Sequence, residues 1–443
     1  IPAEPEKNPG YSDEEIEELI EKGYIPIATA EELNSIRNNE ERTYGKGTEW
    51  EGLYTGGLDK KYIQVANVDL SGYSEGEGWA RIGNYSSRFT GSFDGNGYKI
   101  TGLTIDRSGT NYIGLFGCTD KATIRNVALE DINVKGGDYY TGGLVGGAYN
   151  STIENSYATG EVTGTSDTGG LVGYAYDSTT ITNSYATGSV TGSDYTGGLV
   201  GYAGSSTITN SYATGSVTGT GNYYFTGGLV GNANGSTIEN SYATGEVTGE
   251  GNYTGGLVGK AWDSTIIKDS YATGSVSGGN YTGGLVGEAY KSTTITNSYA
   301  TGSVTGSDYT GGLVGDAWDS TTNAYKSTTI TNSYATGSVT GSDYTGGLVG
   351  KAWDSTIIKD SYATGSVSGG NYTGGLVGEA YKSTTITNSY WNTETTGQST
   401  SAGGEGKTTD EMKTEGTYID WNFDNVWQIN EGKSYPTLRN IAN

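Results

Sequence analysis

The sequence predicts an all-β fold, a parallel β-solenoid of about ten coils of 28 residues, and three observations predict it. First, Gly-Leu-Val-Gly recurs with its leucine at Leu144, Leu171, Leu199, Leu229, Leu257, Leu285, Leu313, Leu348 and Leu376. These leucines are 27 to 30 residues apart, except for 35 between Leu313 and Leu348, where Ala317 to Asn323 reads as a seven-residue insertion. Such a period marks stacked supersecondary units rather than independent domains. Second, residues 254–299 recur unchanged at 345–390, as expected of units that can be copied whole. Third, 76 glycines against 5 prolines exclude collagen, and the Val, Ile and Thr between the glycines argue against a flexible linker.

Charge narrows the function classes. The net charge is −25, histidine is absent, and no arginine lies between Arg125 and Arg439. A nucleic-acid binder needs a basic stripe, so none is expected. No apolar run is long enough to span a membrane. The single cysteine, Cys118, reads as a small buried side chain. No Gly-Gly-X-Gly-X-Asp calcium repeat occurs, and no metal or other cofactor is expected. The chain starts at Ile1 rather than Met, which suggests a mature exported protein with its signal peptide removed. Asn84, Asn150, Asn234, Asn252, Asn280 and Asn371 lie in glycosylation sequons, a weak signal in so Asn- and Ser-rich a chain.

Four segments follow in order. Residues 1–23 form an N-terminal arm and helix, a possible assembly element; Ser12 to Glu15 is a capping box ahead of Ile16, Leu19 and Ile20, with a stop at Gly23. Residues 24–135 form an N-terminal cap and irregular first coils. Thr29 to Glu32 opens a second short helix, then strands are expected at Tyr62–Val65, Phe89–Phe93 and Lys99–Ile105, with a turn at Asp94-Gly95-Asn96-Gly97. Gly-Leu-Phe-Gly at Leu115 is the first, degenerate copy of the motif. Residues 136–391 are the regular repeats. Residues 392–443 are a C-terminal cap, with a capped helix at Thr408–Glu411 and an apolar cluster of Trp421, Phe423, Val426, Trp427 and Ile429.

Within a coil, variable positions mark the wet face. The middle strand offers Thr209 where other coils carry Glu239 or Lys268, so Ile208, Asn210 and Tyr212 are expected to share the inner face. The same test puts Ser216 outside and Val217 inside. It also exposes the position after the motif, which is Tyr174, Asn232, Lys260, Glu288 or Asp316. Leu199 is read as core and the motif glycines as turns. Strict alternation would point Val200 outward, whereas a bulge at Gly201 would turn it in; the bulge is the preferred reading. Like-on-like ladders are expected along Asn155, Asn183, Asn210, Asn240, Asp269, Asn297, Asn332, Asp360 and Asn388, and along the tyrosines from Tyr157 to Tyr390. A lone coil buries too little apolar surface to offset the entropy of ordering it, so the coils must stack.

Gly-Leu-Val-Gly at this period resembles the GLUG-motif repeat proteins. Pro26 to Leu33, Val68-Asp69-Leu70 and Phe93 to Gly97 are similar to the usual start of such a block, and Trp427-Gln428-Ile429 with Tyr435-Pro436 to its usual end. The resemblance covers most of the chain from residue 24 and implies a right-handed parallel β-helix in large secreted or surface proteins, often adhesins. It implies no shared reaction.

The leading functional expectation is an extracellular structural protein that joins head-to-tail into a fibre, with itself as partner. The candidate assembly residues are Ile1, Pro2, Ile16, Leu19, Ile20, Trp421, Phe423 and Trp427. The alternative is a monomeric surface adhesin stalk binding carbohydrate or a host surface. The corner aromatics Tyr149, Tyr176, Trp262, Tyr290, Trp318, Trp353 and Tyr381 would stack on sugars or, as the preferred reading, on one another. Threonine rows such as Thr207 and Thr209 would suit ice, but Glu and Lys interrupt them. A polysaccharide lyase or hydrolase is less favoured. The acids Glu161, Glu246, Asp269 and Asp360 recur as ladder substitutions, and turns or surface pairs account for Asp69, Asp94 and Asp106 beside Arg81, Arg88 and Arg107. No enzyme is expected.

Overall fold

A computed structural model describes residues 10–221, 224–318 and 327–439. Most of the inserted residues between Leu313 and Leu348, and the assembly candidates Ile1 and Pro2, lie outside the described residues. The fold is a parallel β-solenoid in two compact units, residues 2–192 with 196–215, and residues 193–195 with 216–443. No described helix is long and apolar enough to cross a membrane.

In the N-terminal unit, the Ile-bearing strand of each coil pairs in parallel with the next. The order is Tyr24–Ile27, Lys61–Gln64, Ser92–Asp94, Thr123–Arg125, Thr152–Glu154, Thr180–Thr182, Thr207–Thr209. The irregular lead-in therefore already belongs to the solenoid. Gly102, at φ +69°, splits the segment expected as one strand into Lys99–Thr101 and Thr104–Asp106. Helix α1 (Asp13–Glu21) and helix α2 (Ala30–Ser35) both start on capping boxes. Ile16 is buried against Ala28, Ile63 and Val65, with Leu19 and Ile20 partly buried beside it. Of these three assembly candidates, Ile16 is buried on its own chain, and Leu19 and Ile20 keep part of their surface.

In the C-terminal unit the same ladder runs Thr237–Glu239, Ile266–Lys268, Thr294–Thr296, Thr328–Thr331, Thr356–Lys359, Thr385–Thr387. That ladder ends there, and it is in the sheet of the Tyr-Ala strands that pairing continues past residue 391. Strand Tyr390–Asn392 pairs with Glu405–Lys407, and Trp391 takes the inward alanine position opposite Ala363. Its indole lies against Gly375, where a Cβ would come within 2.0 Å of the ring. An indole in place of a methyl fills the end of the core.

Each regular coil has one interior built from six apolar columns. In the coil around Leu285 these are Leu285 with Val286, Ala289, Ile295, Ala300 and Val304, all buried. Every motif leucine from Leu144 to Leu376 is fully buried, and so is every motif valine. Val200 and Ala203 both face inward with the half-exposed Tyr202 between Gly201 and Ala203, so alternation breaks at the motif's last glycine. That break is the bulge. No apolar stripe of valines reaches solvent.

Two expectations need correction. The motif glycines are not uniformly turns: the first of each, such as Gly284, lies in the bend between two strands, the second, such as Gly287, lies within a strand, and none has positive φ. They are places where backbone meets backbone: a Cβ on Gly284 would lie 2.1 Å from Gly312 O, and one on Gly315 2.6 Å from Gly287 O; Gly283, just before the motif, is as tight, 1.9 Å from Val286 O. Nor does Asn210 face the core. It is exposed, at φ +51°, and the left-handed residue shifts the alternation by one. Ser211 and Ala213 therefore point inward, and Tyr212, itself buried, stacks on Tyr185 in a separate column of rings. The asparagines still form ladders: Asn183 Nδ2 donates to Asn155 Oδ1 and Asn210 Nδ2 to Asn183 Oδ1, each at 3.1 Å. In the other unit Asn297 donates to Asp269 and Asn332 to Asn297, at 2.9 and 3.1 Å. Asn240 and Asn388 share the left-handed conformation.

Four substitutions at three positions test this geometry by urea unfolding. Gly283→Ala should destabilise by about 2–4 kcal/mol, because backbone atoms cannot move aside. Gly109→Ala, with nothing within 4 Å of the new methyl, should stay within about 0.5 kcal/mol. Asn297→Ala should cost about 1–2 kcal/mol from the left-handed backbone and the broken amide ladder, with Asn297→Gly recovering the backbone part. Equal losses for alanine and glycine at Asn297 would contradict the backbone account.

Candidate functional site, an aromatic-walled row of charges

After the bulge at the motif's last glycine, the next residue points away from the core and the alanine after it points in. In the C-terminal unit this outward position is Asn232, Lys260, Glu288, Asp316, Lys351 and Glu379 in successive coils, paired neighbour to neighbour. Variability suggested a wet face, yet Asn232, Glu288, Asp316 and Lys351 are buried. Two rows of rings cover them.

One row is Tyr253, Tyr281, Tyr309, Tyr344 and Tyr372, whose rings stack at 4.7–4.9 Å within 9° of parallel. Each of these tyrosines is in the left-handed region, φ +55° to +60°. The other row is the corner position, where Tyr290 stacks on Trp318 at 4.1 Å and Trp353 on Tyr381 at 4.5 Å. The corner aromatics thus pack on one another, and also roof the charges.

The row follows a pairing rule between coils. Where the outward residue is an acceptor, the next coil supplies tryptophan: Trp262 Nε1 donates to Asn232 Oδ1 at 2.9 Å, Trp318 to Glu288 Oε1 at 2.9 Å, Trp353 to Asp316 Oδ1 at 2.8 Å. Where it is lysine, the next coil supplies tyrosine. Lys260 Nζ lies 5.4 Å from the Tyr290 ring centre and Lys351 Nζ 5.2 Å from that of Tyr381. Each lysine also pairs with the glutamate of the following coil, Lys260 with Glu288 and Lys351 with Glu379 at 2.9 Å. Lys351, its side chain only 4% exposed, is further enclosed by Tyr344 and Trp353 at 4.1 and 3.9 Å. An ammonium there exchanges water for ring faces and a carboxylate. Asp316 lacks a full counter-charge. Burial, and secondly the neighbouring Glu288, push its carboxyl well above the ordinary value of 3.8.

The remaining sequence-singled residues are spent on structure. Asp94 is buried and accepts from Arg125 Nε at 2.6 Å, Asn126 Nδ2 at 2.9 Å and Tyr11 Oη at 3.1 Å, so it anchors the start of the asparagine ladder. Arg88 pairs with Asp120 and Asp106 with Lys135, and Arg107 pairs with Glu77. Cys118 is fully buried, and burial pushes its thiol up to about 12. Trp421 and Trp427, two of the assembly candidates in the C-terminal segment, are buried. They lie on the tyrosine stack, Trp427 against Tyr334 and Tyr362, Trp421 against Tyr362 and Tyr390, with half-buried Phe423 behind. Tyr362 Oη donates to Pro436 O at 2.6 Å, fixing the segment in place. Among the described residues no group of three His, Cys, Asp or Glu side chains is placed to hold a metal ion.

A buried carboxyl with a raised folded value binds its proton more tightly in the folded than in the unfolded chain. Stability from that proton is present below about pH 4 and lost as pH rises through the raised value. Asp316→Asn keeps an acceptor for Trp353, as Asn232 does for Trp262. It should therefore be more stable than the parent at pH 7–8 by about 1–2 kcal/mol, with the difference vanishing toward pH 4. Thermal unfolding across pH checks this, and a destabilised variant at neutral pH would overturn it.

Comparison with known proteins places these coils. The family model for the GLUG motif matches residues 137–163, 164–191, 192–218, 223–248, 250–277, 278–305 and 341–368. The chain is 38% identical over 133 residues to halomucin of Haloquadratum walsbyi, and 36% identical over 134 residues to a putative Gly-rich membrane protein of Evansella cellulosilytica. These matches cover 28% and 29% of the chain, and 1% and 14% of the two relatives. Among solved structures, a putative immunoglobulin A1 protease from Bacteroides ovatus matches at 18% identity and TM-score 0.33, over 94% of this chain and 91% of that one. An IgA1 protease matches at 15% identity and TM-score 0.36, over 82% and 21%. Likenesses at those scores carry nothing about activity. With seven motif matches falling on the coils described above, the chain is a GLUG-motif repeat protein.

Proposed function

We propose that the protein is a non-catalytic structural element of the cell surface, a β-solenoid stalk that holds other parts of a surface assembly at a distance. The observation that carries this reading is the commitment of its charged groups to one another. Lys260, Glu288, Asp316, Lys351 and Glu379 are engaged across coils by ion pairs or indole N–H groups and roofed by rings, which takes these carboxylates out of the open-groove pairing that glycoside hydrolysis requires. The names of halomucin and of the Gly-rich membrane protein support a surface setting.

Head-to-tail assembly into a fibre is the second reading. Of its candidate residues, Ile16, Trp421 and Trp427 are buried within the chain, and Leu19 and Ile20 partly so. One feature favours it, the strand edge at Val377–Ala380, which ends its sheet. Sedimentation velocity over a hundredfold concentration range, followed by negative-stain imaging, separates the two. The stalk reading expects one unassembled species throughout. Filaments would overturn it in favour of the fibre.

A further inference from the structure

The duplication of residues 254–299 as 345–390 puts two identical sequences in two different settings. Glu288 and Tyr290 lie in the first copy, and Glu379 and Tyr381 occupy the same places in the second. The first copy is followed by another coil. Strand Val314–Trp318 lies in parallel on Val286–Tyr290, pairing Glu288 with Asp316 and Tyr290 with Trp318. Trp318 covers the Tyr290 ring at 4.1 Å and donates its indole N–H to Glu288 Oε1, while Lys260 takes Oε2.

The second copy ends its sheet. The chain itself closes the first half of that edge: Thr400 O accepts from Gly375 N at 3.0 Å, and Ala402 N donates to Val377 O at 3.0 Å. Over Gly378–Tyr381 nothing among the described residues takes the place of Val314–Trp318. Lys351 again holds Glu379 Oε2, and no described residue donates to Oε1. Tyr381 is 39% exposed, and Tyr372, whose counterpart Tyr281 is stacked under Tyr309, is 54% exposed. The half-site is thus complete on its own side and vacant on the other.

We propose that Gly378–Tyr381, with Glu379 and Tyr372, is a docking edge for an extended segment of another protein that presents a tryptophan. The segment adds as a parallel strand. Its indole stacks on Tyr381 and donates N–H to Glu379 Oε1, reproducing what Trp318 does one duplication earlier. None of the eight tryptophans in residues 1–443 is the occupant, because all are buried or half-buried in their own structure.

The probe is the pentapeptide Val-Gly-Asp-Ala-Trp, the sequence of Val314–Trp318, titrated against the full chain by calorimetry and by NMR shifts of 13C-labelled tyrosine. Saturable binding is expected. It should weaken about tenfold when the peptide's tryptophan is replaced by phenylalanine, which keeps a ring but loses the donor. It should also weaken about tenfold or more in Tyr381→Ala and in Glu379→Ala. Tyr290→Ala, in the covered copy, should leave it unchanged. Three results would overturn the proposal: no binding to the parent chain, binding indifferent to Tyr381→Ala in a variant with native circular dichroism, or binding of cellohexaose instead of the peptide. Self-association abolished by Tyr381→Ala would also overturn it, by assigning the edge to a second copy. The stalk reading stands or falls separately, on the assembly state measured without peptide.

Discussion

Parallel, in-register stacking at 4.7–4.9 Å is the constraint from which the rest of the structure follows. At that spacing each side chain touches its counterpart in the adjoining coil, so a column is stable only if its members suit one another. Identical rings satisfy this by stacking: Tyr242, Tyr271 and Tyr299 lie within 1° of parallel. Amides satisfy it by donating in one direction along the column. Charges cannot repeat in this way, because two like charges 5 Å apart in a dry stripe repel strongly. The row therefore sets Lys260 beside Glu288 and Lys351 beside Glu379. At the one place where two acids adjoin, Glu288 and Asp316, each receives an indole N–H, and the Asp316 carboxyl is driven toward its protonated form.

The same spacing explains which parts of the fold were legible in the sequence. Period, turn composition and like-on-like columns are properties of the repeat, so the solenoid and its leucine, asparagine and tyrosine ladders could be read directly. Which face a column occupies depends on backbone conformation, which simple alternation misses. Asn210 in the left-handed region moved the inner positions from Asn and Tyr to Ser211 and Ala213, and the bulge at Gly201 turned Val200 and Ala203 in together. The motif glycines looked like turns because glycine usually serves turns. Here the absent Cβ matters more than the free φ.

Variability misled in the charged row for a related reason. Lys260, Glu288 and Asp316 at one position suggest solvent, when the change from coil to coil is itself the pairing. The signal was present in the chain, since an acceptor is followed by tryptophan in the next coil and lysine by tyrosine, at all five steps from Asn232 to Tyr381. It becomes visible only when residues about 30 positions apart are read as neighbours.

That row also resolves a difficulty inherent in repeats. Interior columns of identical Leu, Val, Ile and Ala side chains stabilise every coil against every other, and so cannot distinguish the correct neighbour from one displaced by a coil. Misassembly of this kind is a characteristic failure of repeat proteins. In the outer row the partners are not interchangeable. Displacing the coil of Trp318 from Glu288 onto Lys260 would set an indole N–H against an ammonium, two donors with no acceptor between them, and would strand a carboxylate under aromatic rings. A buried polar pair adds little net stability over an apolar one, but a mismatched pair leaves a buried charge unsatisfied at a cost of several kcal/mol. The apolar columns hold the coils together, and in the C-terminal unit the charged row disfavours any register that sets a tryptophan-bearing coil on a lysine-bearing one.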